Sequence, residues 1–396
     1  MKMKTLVAVV LGGITAAATA RAEGPVRRVG QPIRDEYVVV LKDGAAASGR
    51  GPAAGPRVAS VAADLARLHG ATVERVFEHA LRGFSARMTA ARAAALAADP
   101  RVSYVEEDGA VRLDTTETDA TWGIDRIDQR ALPLSTTFSY TNTGIGVTAY
   151  IIDTGIRFTH SEFGGRAASG FDAVNGGSAD DCNGHGTHVA GTVGGATYGV
   201  AKQVQLVAVR VLNCLGAGSN ANVIAGIDWV TANHVPPAVA NMSLGSTSTS
   251  DALDAAVRNS IADGVSYVLA AGNGNLIGIA QDACTTSPAR VTEAMTVSAT
   301  NENDKKPFWA NYGDCVDWFA PGVGITSAWK TSDAATATLT GTSMSAPHTT
   351  GVTALYLQAN PGATPAEVRD ALYAKTTKGI VAGSRTGNNH LLFTDY

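Results

Sequence analysis

Three residue types that together can carry out nucleophilic catalysis lie far apart along the chain, in the order Asp153, His185 and Ser343. Asp153 follows the apolar run VTAYII, His185 lies between two glycines in NGHGTHVAGT, and Ser343 lies in GTSMSAPH. A serine hydroxyl attacks a carbonyl group when a base accepts its proton, and an imidazole base needs a carboxylate to fix its tautomer. The chain therefore contains a candidate nucleophile, base and orienting acid.

Each of these residues also has an ordinary structural interpretation. Asp153 could form a turn or a helix cap, and Ser343 could be the N-cap of the helix whose first turn Pro347 favours. His188, one turn after His185, would allow the pair to bind a metal ion, although no Glu-x-x-His partner or third His ligand accompanies them. The chain order of acid, base and nucleophile favours the catalytic interpretation.

The elements that must position these side chains change in character near residue 122. From there onward, apolar runs alternate with helical stretches, which predicts a largely parallel sheet with helices on both faces, a doubly wound α/β fold. Ligands of such sheets bind beyond the carboxyl ends of the strands, where Asp153 is expected. The candidate strands are 147–152, 204–212, 238–244, 265–271 and 294–299, and the candidate helices are 220–233 and 251–263.

The preceding segment predicts a small α+β unit of the ferredoxin-like type. Its elements follow the order βαββαβ: a strand at 37–42, a helix at 58–69, a pair of strands within 73–88, a helix at 90–98 and a strand at 102–106. Residues 44–56 are typical of a loop. Residues 112–121 contain four Thr without apolar periodicity, so we expect an exposed linker that a protease could cut.

The first 22 residues are typical of a secretory signal peptide. Lys2 and Lys4 precede the apolar run Leu6 to Ile14, and small residues end the segment at Ala22. The apolar run is shorter than the ~20 residues that a membrane anchor needs. The four cysteines of an exported chain favour disulfides, with three possible pairings, over a zinc site.

The charges are divided unevenly between the two later segments. Residues 23–114 carry 13 Lys and Arg against 12 Asp and Glu, whereas residues 115–396 carry 15 against 23. An acidic larger segment argues against nucleic acid as its partner.

Five sequence blocks, in this order, resemble the signature blocks of the subtilisin-like serine proteases: YIIDTGI, NGHGTHVAGT, NMSLGS, AAGN and GTSMSAPH. The resemblance runs from about Trp122 to the end of the chain, and the surrounding sequence is similar to the proteinase K and aqualysin branch. It implies that Asp153 orients and stabilises the imidazole, that His185 is general base and then general acid, and that Ser343 is the nucleophile. His188 would then have a structural role.

The same resemblance implies two groups that stabilise the oxyanion formed by attack on a carbonyl. The backbone N–H of Ser343 would lie at the positive end of a helix, and Asn273, at the end of AAGN, would donate from its side-chain amide. In a subtilisin the loss of one such donor costs about 2.7 to 4 kcal/mol. A turn-forming asparagine is the alternative for Asn273.

Two short segments resemble those that flank an extended substrate in this family and pair with its backbone. Their glycines would admit a second backbone closely, although glycine is equally common in turns. The segments consist of Gly216, Ala217 and Gly218 and of Ser243, Leu244 and Gly245.

Disulfide and calcium positions are also implied by the resemblance. The expected bridges join Cys182 to Cys214 and Cys284 to Cys315. Asp317 lies where relatives bind calcium, with the carbonyl groups of Thr292 and Ala294 as companions, and an ordinary surface Asp is the alternative. A second calcium loop would use Asp125, Asp128 and Gln129, but Ser135 stands where relatives tend to supply another acid.

Residues 37–112 resemble the inhibitor-like propeptide of these enzymes, which assists folding and blocks the cleft until it is cut away. The expected protein is therefore a secreted, extracellular and monomeric serine endopeptidase made as a self-processing zymogen. It would have a signal peptide at 1–22, a propeptide at 23–114 and a catalytic domain at 115–396. Its partners would be protein and peptide substrates and its own propeptide, with no nucleic acid, no membrane after signal removal and no catalytic cofactor. Activity would fall as His185 is protonated below pH ~6.5.

Two stretches depart from the family pattern. GNLIGIAQDA, after Asn273, is longer and more apolar than usual, and GTSMSAPHTTG places Thr349 and Thr350 in a helix that should be buried. Each threonine hydroxyl can bond a carbonyl one turn back, so the helix can still form.

Two rival functions remain for comparison. A metal-dependent hydrolase using His185 and His188 would be inhibited by chelators and not by serine-reactive reagents. A pseudoprotease that only binds peptides is not favoured, because the three triad candidates and Asn273 are all present. Folds of the α/β-hydrolase and chymotrypsin types place their triads in a different chain order.

Overall fold

The computed structural model describes residues 26–29, 32–46, 56–109, 115–275 and 277–396. The predicted signal peptide, residues 1–22, lies outside them. The chain divides into two compact units, Met1–Arg112 and Leu113–Tyr396. No helix in the described part of the chain has both the length and the hydropathy needed to cross a membrane.

The first unit is a five-stranded sheet in the order β1-β5-β2-β4-β3. Its core contains Val39, Leu65, Phe84, Leu96 and Val105, all fully buried. Apolar residues recur with helical spacing in α1 and α2, so each helix buries one face among these side chains. The elements are β1 (Val26–Arg27), β2 (Pro32–Leu41), α1 (Val58–His69), β3 (Thr72–Phe77), β4 (Gly83–Arg87), α2 (Ala90–Ala97) and β5 (Val102–Gly109).

The second unit is built on a nine-stranded sheet in the order β17-β18-β14-β13-β12-β11-β8-β10-β9. Its strand pairs are parallel except for the short edge pair of β17 and β18. The elements are β6 (Thr115–Thr118), α3 (Trp122–Ile127), β7 (Thr137–Tyr140), β8 (Thr148–Asp153), β9 (Ala167–Asp172), α4 (His185–Gly194), β10 (Gln205–Arg210), α5 (Asn220–Asn233), β11 (Ala238–Met242), α6 (Asp251–Ala262), β12 (Ser266–Ala270), β13 (Met295–Thr300), β14 (Trp318–Pro321), β15 (Ile325–Ala328), β16 (Thr336–Leu339), α7 (Thr342–Ala359), α8 (Pro365–Lys375), β17 (Thr377–Lys378) and β18 (His390–Leu391).

Strand β8 shows how the sheet separates two cores. Ala149 and Ile151 pack into the core that contains residues of α4 and α7, whereas Tyr150 and Ile152 pack into the core that contains residues of α5 and α6. Side chains alternate between the two faces of a strand, so a strand that is apolar at every position must be covered on both sides. The doubly wound α/β fold predicted from the sequence is confirmed.

The parallel arrangement brings several chain segments to one edge of the sheet. The carboxyl ends of β8, β10, β11 and β12 lie side by side, and β8 is the strand at which the chain order changes direction. A crevice outside the strand ends is expected at such a switch point. The segments that leave these four strands carry Asp153, Gly216–Gly218, Ser243–Gly245 and Asn273.

The exposed linker predicted at 112–121 is wrong in part. Residues Thr115–Thr118 form β6, which pairs antiparallel with Thr137–Tyr140. Three of the four residues in β6 are exposed, so the strand buries no apolar face and its sequence has no apolar alternation. The strand is defined by its backbone pairing with β7, which leaves no apolar pattern in the side chains.

The two disulfides confirm the expected nearest-neighbour pairing, Cys182 with Cys214 and Cys284 with Cys315. The first bridge joins the segment just before α4 to the segment that follows β10. It therefore connects the part of the chain that carries His185 to the part that carries Gly216–Gly218.

Candidate active site

Asp153 and His185 are hydrogen bonded to each other. Asp153 is the last residue of β8 and is fully buried, and His185 is the first residue of α4. The imidazole Nδ1 donates to Asp153 Oδ1 at 2.7 Å, and the N–H of Thr154 donates to the same oxygen at 2.8 Å. A proton held on Nδ1 leaves the lone pair on Nε2, the atom that must act as base.

Gly186 allows the helix that carries His185 to pass close to the end of β8. A Cβ atom on Gly186 would lie 2.2 Å from the carbonyl oxygen of Gly155. A larger residue would separate the helix from the strand and with it the imidazole from its carboxylate. This is the physical reason for glycine after His185 in NGHGTH.

Opposing effects act on the protonation of His185. Burial by itself lowers the pKa of His185, whereas the charge of Asp153 and the hydrogen bond to it raise the pKa, with a further contribution from Asp181. The net result is a pKa above the usual value of the imidazole. The protonated form that follows proton uptake from a nucleophile is therefore stabilised by Asp153.

Ser343 lies in the first turn of α7, and Pro347 lies inside that helix. The sequence places Pro347 in the first turn, but the helix begins at Thr342. Proline has no N–H to donate to the carbonyl group four residues earlier, which is that of Ser343. The hydroxyl of Ser243 donates to this free carbonyl oxygen instead, at 2.8 Å.

A second hydrogen bond runs in the opposite direction. The hydroxyl of Ser343 donates to the carbonyl oxygen of Ser243 at 3.0 Å. The two bonds fasten the start of α7 to the segment that follows β11. Among the described residues, no hydrogen bond joins the Ser343 hydroxyl to the imidazole of His185, so the structure brings together two of the three triad candidates directly.

His185 and Ser343 nevertheless line adjoining cavities. One cavity, of about 600 Å³, is lined by His185 and by both predicted substrate segments. The other, of about 250 Å³, is lined by Ser343 and Asn273. Leu244, Gly245 and Ser246 line both, so one short segment separates the nucleophile candidate's cavity from that of the base.

Asn273 is oriented by Thr342. Its Oδ1 accepts from the backbone N–H of Thr342 at 2.8 Å and from the Thr342 hydroxyl at 2.9 Å. A backbone N–H can only donate, so the oxygen of the amide must face Thr342 and Nδ2 must face the other way. A Cβ atom on Gly341 would lie 3.2 Å from this Nδ2, which puts the donating end of the amide beside the start of α7.

The N–H of Ser343 supplies a second donor near Asn273. It lies in the first turn of α7, where N–H groups have no carbonyl partner within the helix and carry the positive end of the helix dipole. Thr342 was not singled out from the sequence as a functional residue. Its position next to Ser343 was the one sign of a functional role in the sequence. Its contact with Asn273 was not visible there, because the two residues are 69 positions apart in the chain.

All six predicted substrate-binding residues line the larger cavity: Gly216, Ala217, Gly218, Ser243, Leu244 and Gly245. Asn213 holds the first segment in a turn, because its Oδ1 accepts from the N–H groups of Leu215 at 2.9 Å and Ala217 at 3.1 Å. A Cβ atom on Gly218 would lie 2.6 Å from the carbonyl oxygen of Val211, so this position requires glycine.

The predicted calcium ligand Asp317 already has partners for both carboxylate oxygens. Arg369 donates to Oδ1 from Nη2 at 2.5 Å and from Nε at 3.1 Å, and the N–H of Thr296 donates to Oδ2 at 2.7 Å. A calcium ion at Asp317 would therefore have to displace the guanidinium of Arg369 from Oδ1. Calcium at Asp317 with the carbonyl groups of Thr292 and Ala294 stays a prediction.

In the second predicted calcium loop, hydrogen-bond donors likewise occupy both carboxylate oxygens of Asp125. Asp125 Oδ1 accepts from the N–H and the hydroxyl of Ser135, at 3.1 and 2.9 Å, and Oδ2 accepts from the N–H of Thr136 at 2.7 Å. Burial, with the nearby charge of Asp125, raises the pKa of Asp128 to about 6. Ser135 thus acts as a donor to the carboxylate and not as an acid beside it.

Among the described residues, the side-chain hydrogen-bond partners of His188 lie in a hairpin and do not include His185. The Nε2 atom of His188 lies 3.0 Å from the carbonyl oxygen of Ile325 and 3.2 Å from that of Ala337, in the β15–β16 hairpin. Burial lowers the pKa of His188 to about 4, so it is neutral at pH 7. Within the described residues, no group of three or more His, Cys, Asp and Glu side chains is placed to hold a metal ion.

Comparisons with known proteins identify the families that the two units resemble. The subtilase family matches residues 144–392, and the peptidase inhibitor I9 family matches residues 36–114. The extracellular serine proteinase of Thermus sp. (strain Rt41A) is 56% identical over 331 residues, which are 83% of this chain and 79% of that protein. Alkaline serine exoprotease A of Vibrio alginolyticus is 47% identical over 369 residues, 91% of this chain and 68% of that protein.

A solved structure shows the same fold. The crystal structure of a cold adapted subtilisin-like serine proteinase is 51% identical, has a TM-score of 0.68, and covers 70% of this chain and 100% of its own. The residues matched by the subtilase family, 144–392, include Asp153, His185, Asn273 and Ser343. The chain belongs to the subtilase family.

Proposed function

We propose that Asp153, His185 and Ser343 form the catalytic triad of this serine endopeptidase. The 2.7 Å hydrogen bond between Asp153 and His185, at the carboxyl end of β8, carries the proposal most directly. The placement of Ser343 at the start of α7, on the cavity next to that of His185, supports the third role. For the attack, the Ser343 hydroxyl turns from the carbonyl of Ser243 toward His185 Nε2.

The reaction then proceeds in two halves. Ser343 Oγ bonds to the carbonyl carbon of the substrate while its proton passes to His185 Nε2, and the tetrahedral oxyanion accepts hydrogen bonds from Asn273 Nδ2 and the Ser343 N–H. His185 returns the proton to the leaving amine, and the peptide bond breaks to give an acyl-enzyme. A water molecule, deprotonated by His185, hydrolyses the ester and restores the Ser343 hydroxyl.

The substrate backbone lies between the two glycine-containing segments. Gly216–Gly218 and Ser243–Gly245 line the same cavity, which suits an extended peptide added as a strand between them. Such pairing reads main-chain groups and accepts many sequences. Protein and peptide substrates therefore bind through their backbone first, and the side-chain cavities add selectivity.

The N-terminal unit acts as an inhibitor of the same chain until it is removed. The match of residues 36–114 to the peptidase inhibitor I9 family supports this role. The proposed organisation is a signal peptide at 1–22, a propeptide at 23–114 and a catalytic domain at 115–396 that begins near Thr115. The mature enzyme is secreted and monomeric, and the name of one relative, the extracellular serine proteinase of Thermus sp. (strain Rt41A), supports this location.

Catalysis by a subtilase uses no cofactor, so calcium would have only a structural part. Asp317 would bind it with the carbonyl groups of Thr292 and Ala294, in competition with Arg369. Calcium at this place would compete with the Arg369 ion pair, because Arg369 already donates to Asp317 Oδ1.

A comparison of the full-length protein with its Ser343→Ala variant tests the triad. The wild type should release its N-terminal unit and digest casein, and the variant should remain full length in a host free of other proteases. Ser345→Ala is the matched control: Ser345, on the same helix, donates to the carbonyl of Ala320, so its variant should mature and digest casein. A Ser343→Ala protein that matures normally would show that self-processing by Ser343 is wrong.

An inhibitor comparison addresses the metal-dependent alternative. A serine-reactive sulfonyl reagent should abolish activity of the wild type, whereas a chelator should leave the initial rate unchanged. Loss of the initial rate with the chelator, together with resistance to the sulfonyl reagent, would favour a metal-dependent hydrolase.

A further inference from the structure

Asn311 is a buried asparagine whose side chain bonds to the loop that carries Asn273. It lies between β13 and β14 and is 1% exposed. Its Oδ1 accepts from the N–H groups of Gly274 at 3.0 Å and Gln281 at 2.8 Å. Its Nδ2 donates to the carbonyl oxygen of Ala271 at 2.8 Å.

These bonds fix the orientation of the Asn311 amide and enclose Asn273 on both sides. All three partners are backbone groups, so the oxygen must face the two N–H donors and the nitrogen must face the carbonyl. Ala271 lies two residues before Asn273, and Gly274 lies one residue after it. The side chain of Asn311 thus supplies hydrogen bonds to the backbone of residues 271–274 of the kind that a neighbouring strand would supply.

The backbone of Asn311 and its close approach to Gly272 complete the contact. Its N–H donates to the carbonyl oxygen of Gly272 at 3.0 Å, and its carbonyl oxygen accepts from the hydroxyl of Ser298 at 2.7 Å. A Cβ atom on Gly272 would lie 2.4 Å from Asn311 Nδ2, and Gly272 has a φ of +104° that glycine adopts readily. A side chain at position 272 would therefore push the two residues apart.

The Asn273 loop needs this support because it lies beyond the sheet. Strand β12 ends at Ala270, and the following stretch continues to an exposed turn with Ile277 78% exposed. That turn is organised by Asn275, whose Oδ1 accepts from two N–H groups of the turn itself. Among the described residues, the side chain of Asn311 connects the backbone on either side of Asn273 to the rest of the molecule, and Thr342 connects the amide of Asn273.

We propose that Asn311 is a positioning residue for catalysis, which holds the backbone of Asn273 so that its amide donates to the oxyanion at the correct distance. This inference rests on the proposed function of Asn273. An oxyanion donor is effective only when its distance to the developing charge is correct within a few tenths of an ångström. Thr342 fixes the orientation of the Asn273 amide, and Asn311 fixes the position of the backbone that carries it.

A double-mutant cycle with Asn273 tests the proposal. The kinetic constants are measured on a chromogenic peptide amide for wild type, Asn311→Ala, Asn273→Ala and the double variant. Asn311→Ala should lower kcat about ten- to hundredfold and change KM less than about threefold, since a misplaced donor retains part of its effect. In the Asn273→Ala background the same change should alter kcat less than about threefold, because no donor remains to be misplaced.

Asn389→Ala is the matched control for loss of a loop-bracing asparagine. Asn389 Oδ1 accepts from the N–H of Val381 at 2.8 Å, and its Nδ2 donates to the Val381 carbonyl at 3.1 Å, outside the active-site cavities. This variant should melt at a lower temperature with kcat within about twofold of wild type. The positioning role therefore requires a kcat loss that Asn389→Ala does not show.

Asn311→Asp provides a second measurement if Asn311→Ala does not mature. In its protonated form the new carboxyl group can donate to the Ala271 carbonyl, whereas its ionised form would place an oxygen against that carbonyl and a negative charge near the oxyanion. The ratio of kcat between this variant and wild type should fall as the pH rises, and a ratio independent of pH contradicts the proposal.

The outcomes separate failure of this inference from failure of the proposed function. A large loss for Asn273→Ala with unchanged kcat for Asn311→Ala overturns the role of Asn311 alone. An equal kcat loss for Asn311→Ala in both backgrounds does the same, since Asn311 would then act without Asn273. Unchanged kcat for Asn273→Ala overturns the oxyanion role of Asn273 and this inference with it.

Discussion

Replacement of Arg369 by methionine would leave the carboxylate of Asp317 buried without its cation. Asp317 is 4% exposed, and both nitrogens that Arg369 presents to its Oδ1 would be lost. Methionine keeps an unbranched apolar stem but lacks the guanidinium, so the change removes mainly the charge and two hydrogen bonds. We expect Arg369→Met to destabilise the folded protein, and to do so more at pH 7 than at pH 5.

The size of the effect is limited because the carboxyl group can take up a proton. Burial raises the pKa of Asp317, and the charge of Arg369 opposes that rise. Removal of the Arg369 charge should therefore raise the pKa of Asp317 further. When an acidic group has a higher pKa in the folded state than in the unfolded state, the folded protein loses stability as the pH rises between the two values. Protonation costs about 1.36 kcal/mol for each pH unit above an unfolded-state pKa of about 3.9, which limits the loss to about 4 kcal/mol at pH 7 and about 1.5 kcal/mol at pH 5.

Thermal and urea denaturation of the Ser343→Ala protein, with and without Arg369→Met, measures this loss without self-digestion. At pH 7 in a chelator we expect a loss of about 2 to 4 kcal/mol, equivalent to a decrease of about 4 to 16 °C in Tm. Arg258→Met is the control, because Arg258 pairs with Glu293 at an exposed site, and its loss should stay within about 1 kcal/mol.

Calcium provides the second part of this experiment. Millimolar calcium should raise the Tm of Arg369→Met more than that of the parent protein, because the variant frees Asp317 Oδ1 for the ion. Two results would refute the reasoning: a destabilisation that is the same at pH 5 and pH 7, or an equal calcium response in both proteins. The second result would mean that calcium and Arg369 do not compete for Asp317.

Two further predictions concern the base and the buried threonines. Because the pKa of His185 is raised, kcat/KM should fall as the pH decreases through a midpoint above 6.5. The Asp153→Asn variant should lower both that midpoint and kcat. A midpoint unchanged by Asp153→Asn would contradict the role of the carboxylate. Thr350 donates to buried Asn241 at 2.9 Å, and Asn241 donates to the Ser243 hydroxyl at 2.9 Å. Thr350→Val should therefore cost about 1 to 3 kcal/mol in urea denaturation, whereas Thr350→Ser should cost less, and equal losses would exclude this hydrogen bond as the cause.

Elements with a buried apolar face were predictable from the sequence. The helix expected at 58–69 is α1 (Val58–His69), and the helix expected at 220–233 is α5 (Asn220–Asn233). The strand expected at 147–152 is β8, shifted by one residue. In each case burial against a neighbour imposes a period on the side chains, and that period is visible in the chain itself.

Elements defined by distant backbone contacts were not predictable. The pairing of β6 with β7 leaves exposed side chains of no particular pattern. Helix α7 begins five residues before Pro347, because its first turn is held by Thr342 and Ser243 and not by the helix preference of the segment. Thr350 bonds a carbonyl one turn back as expected, at 3.2 Å, but the hydroxyl of Thr349 accepts from the indole of Trp318 instead.

The candidate site divides in the same way. The order of Asp153, His185 and Ser343, with the family resemblance, identifies them as candidates from the sequence, because the chemistry needs those residue types. The partners of the supporting residues were not visible: Arg369 lies 52 residues from Asp317, and Asn311 lies 40 residues from Ala271. Such contacts depend on how loops meet at the edge of the sheet, which a single sequence does not encode locally.

The disulfide between Cys182 and Cys214 links the segment before His185 to the segment that carries Gly216–Gly218, and both line one cavity. Oxidation of these two thiols therefore fastens two parts of the cavity wall together as well as adding stability. A chain retained in a reducing compartment would contain all three proposed triad residues yet lack this covalent connection between the proposed base and the proposed substrate segment. Export would then be a chemical step in the maturation of the protease, in addition to removal of the N-terminal unit.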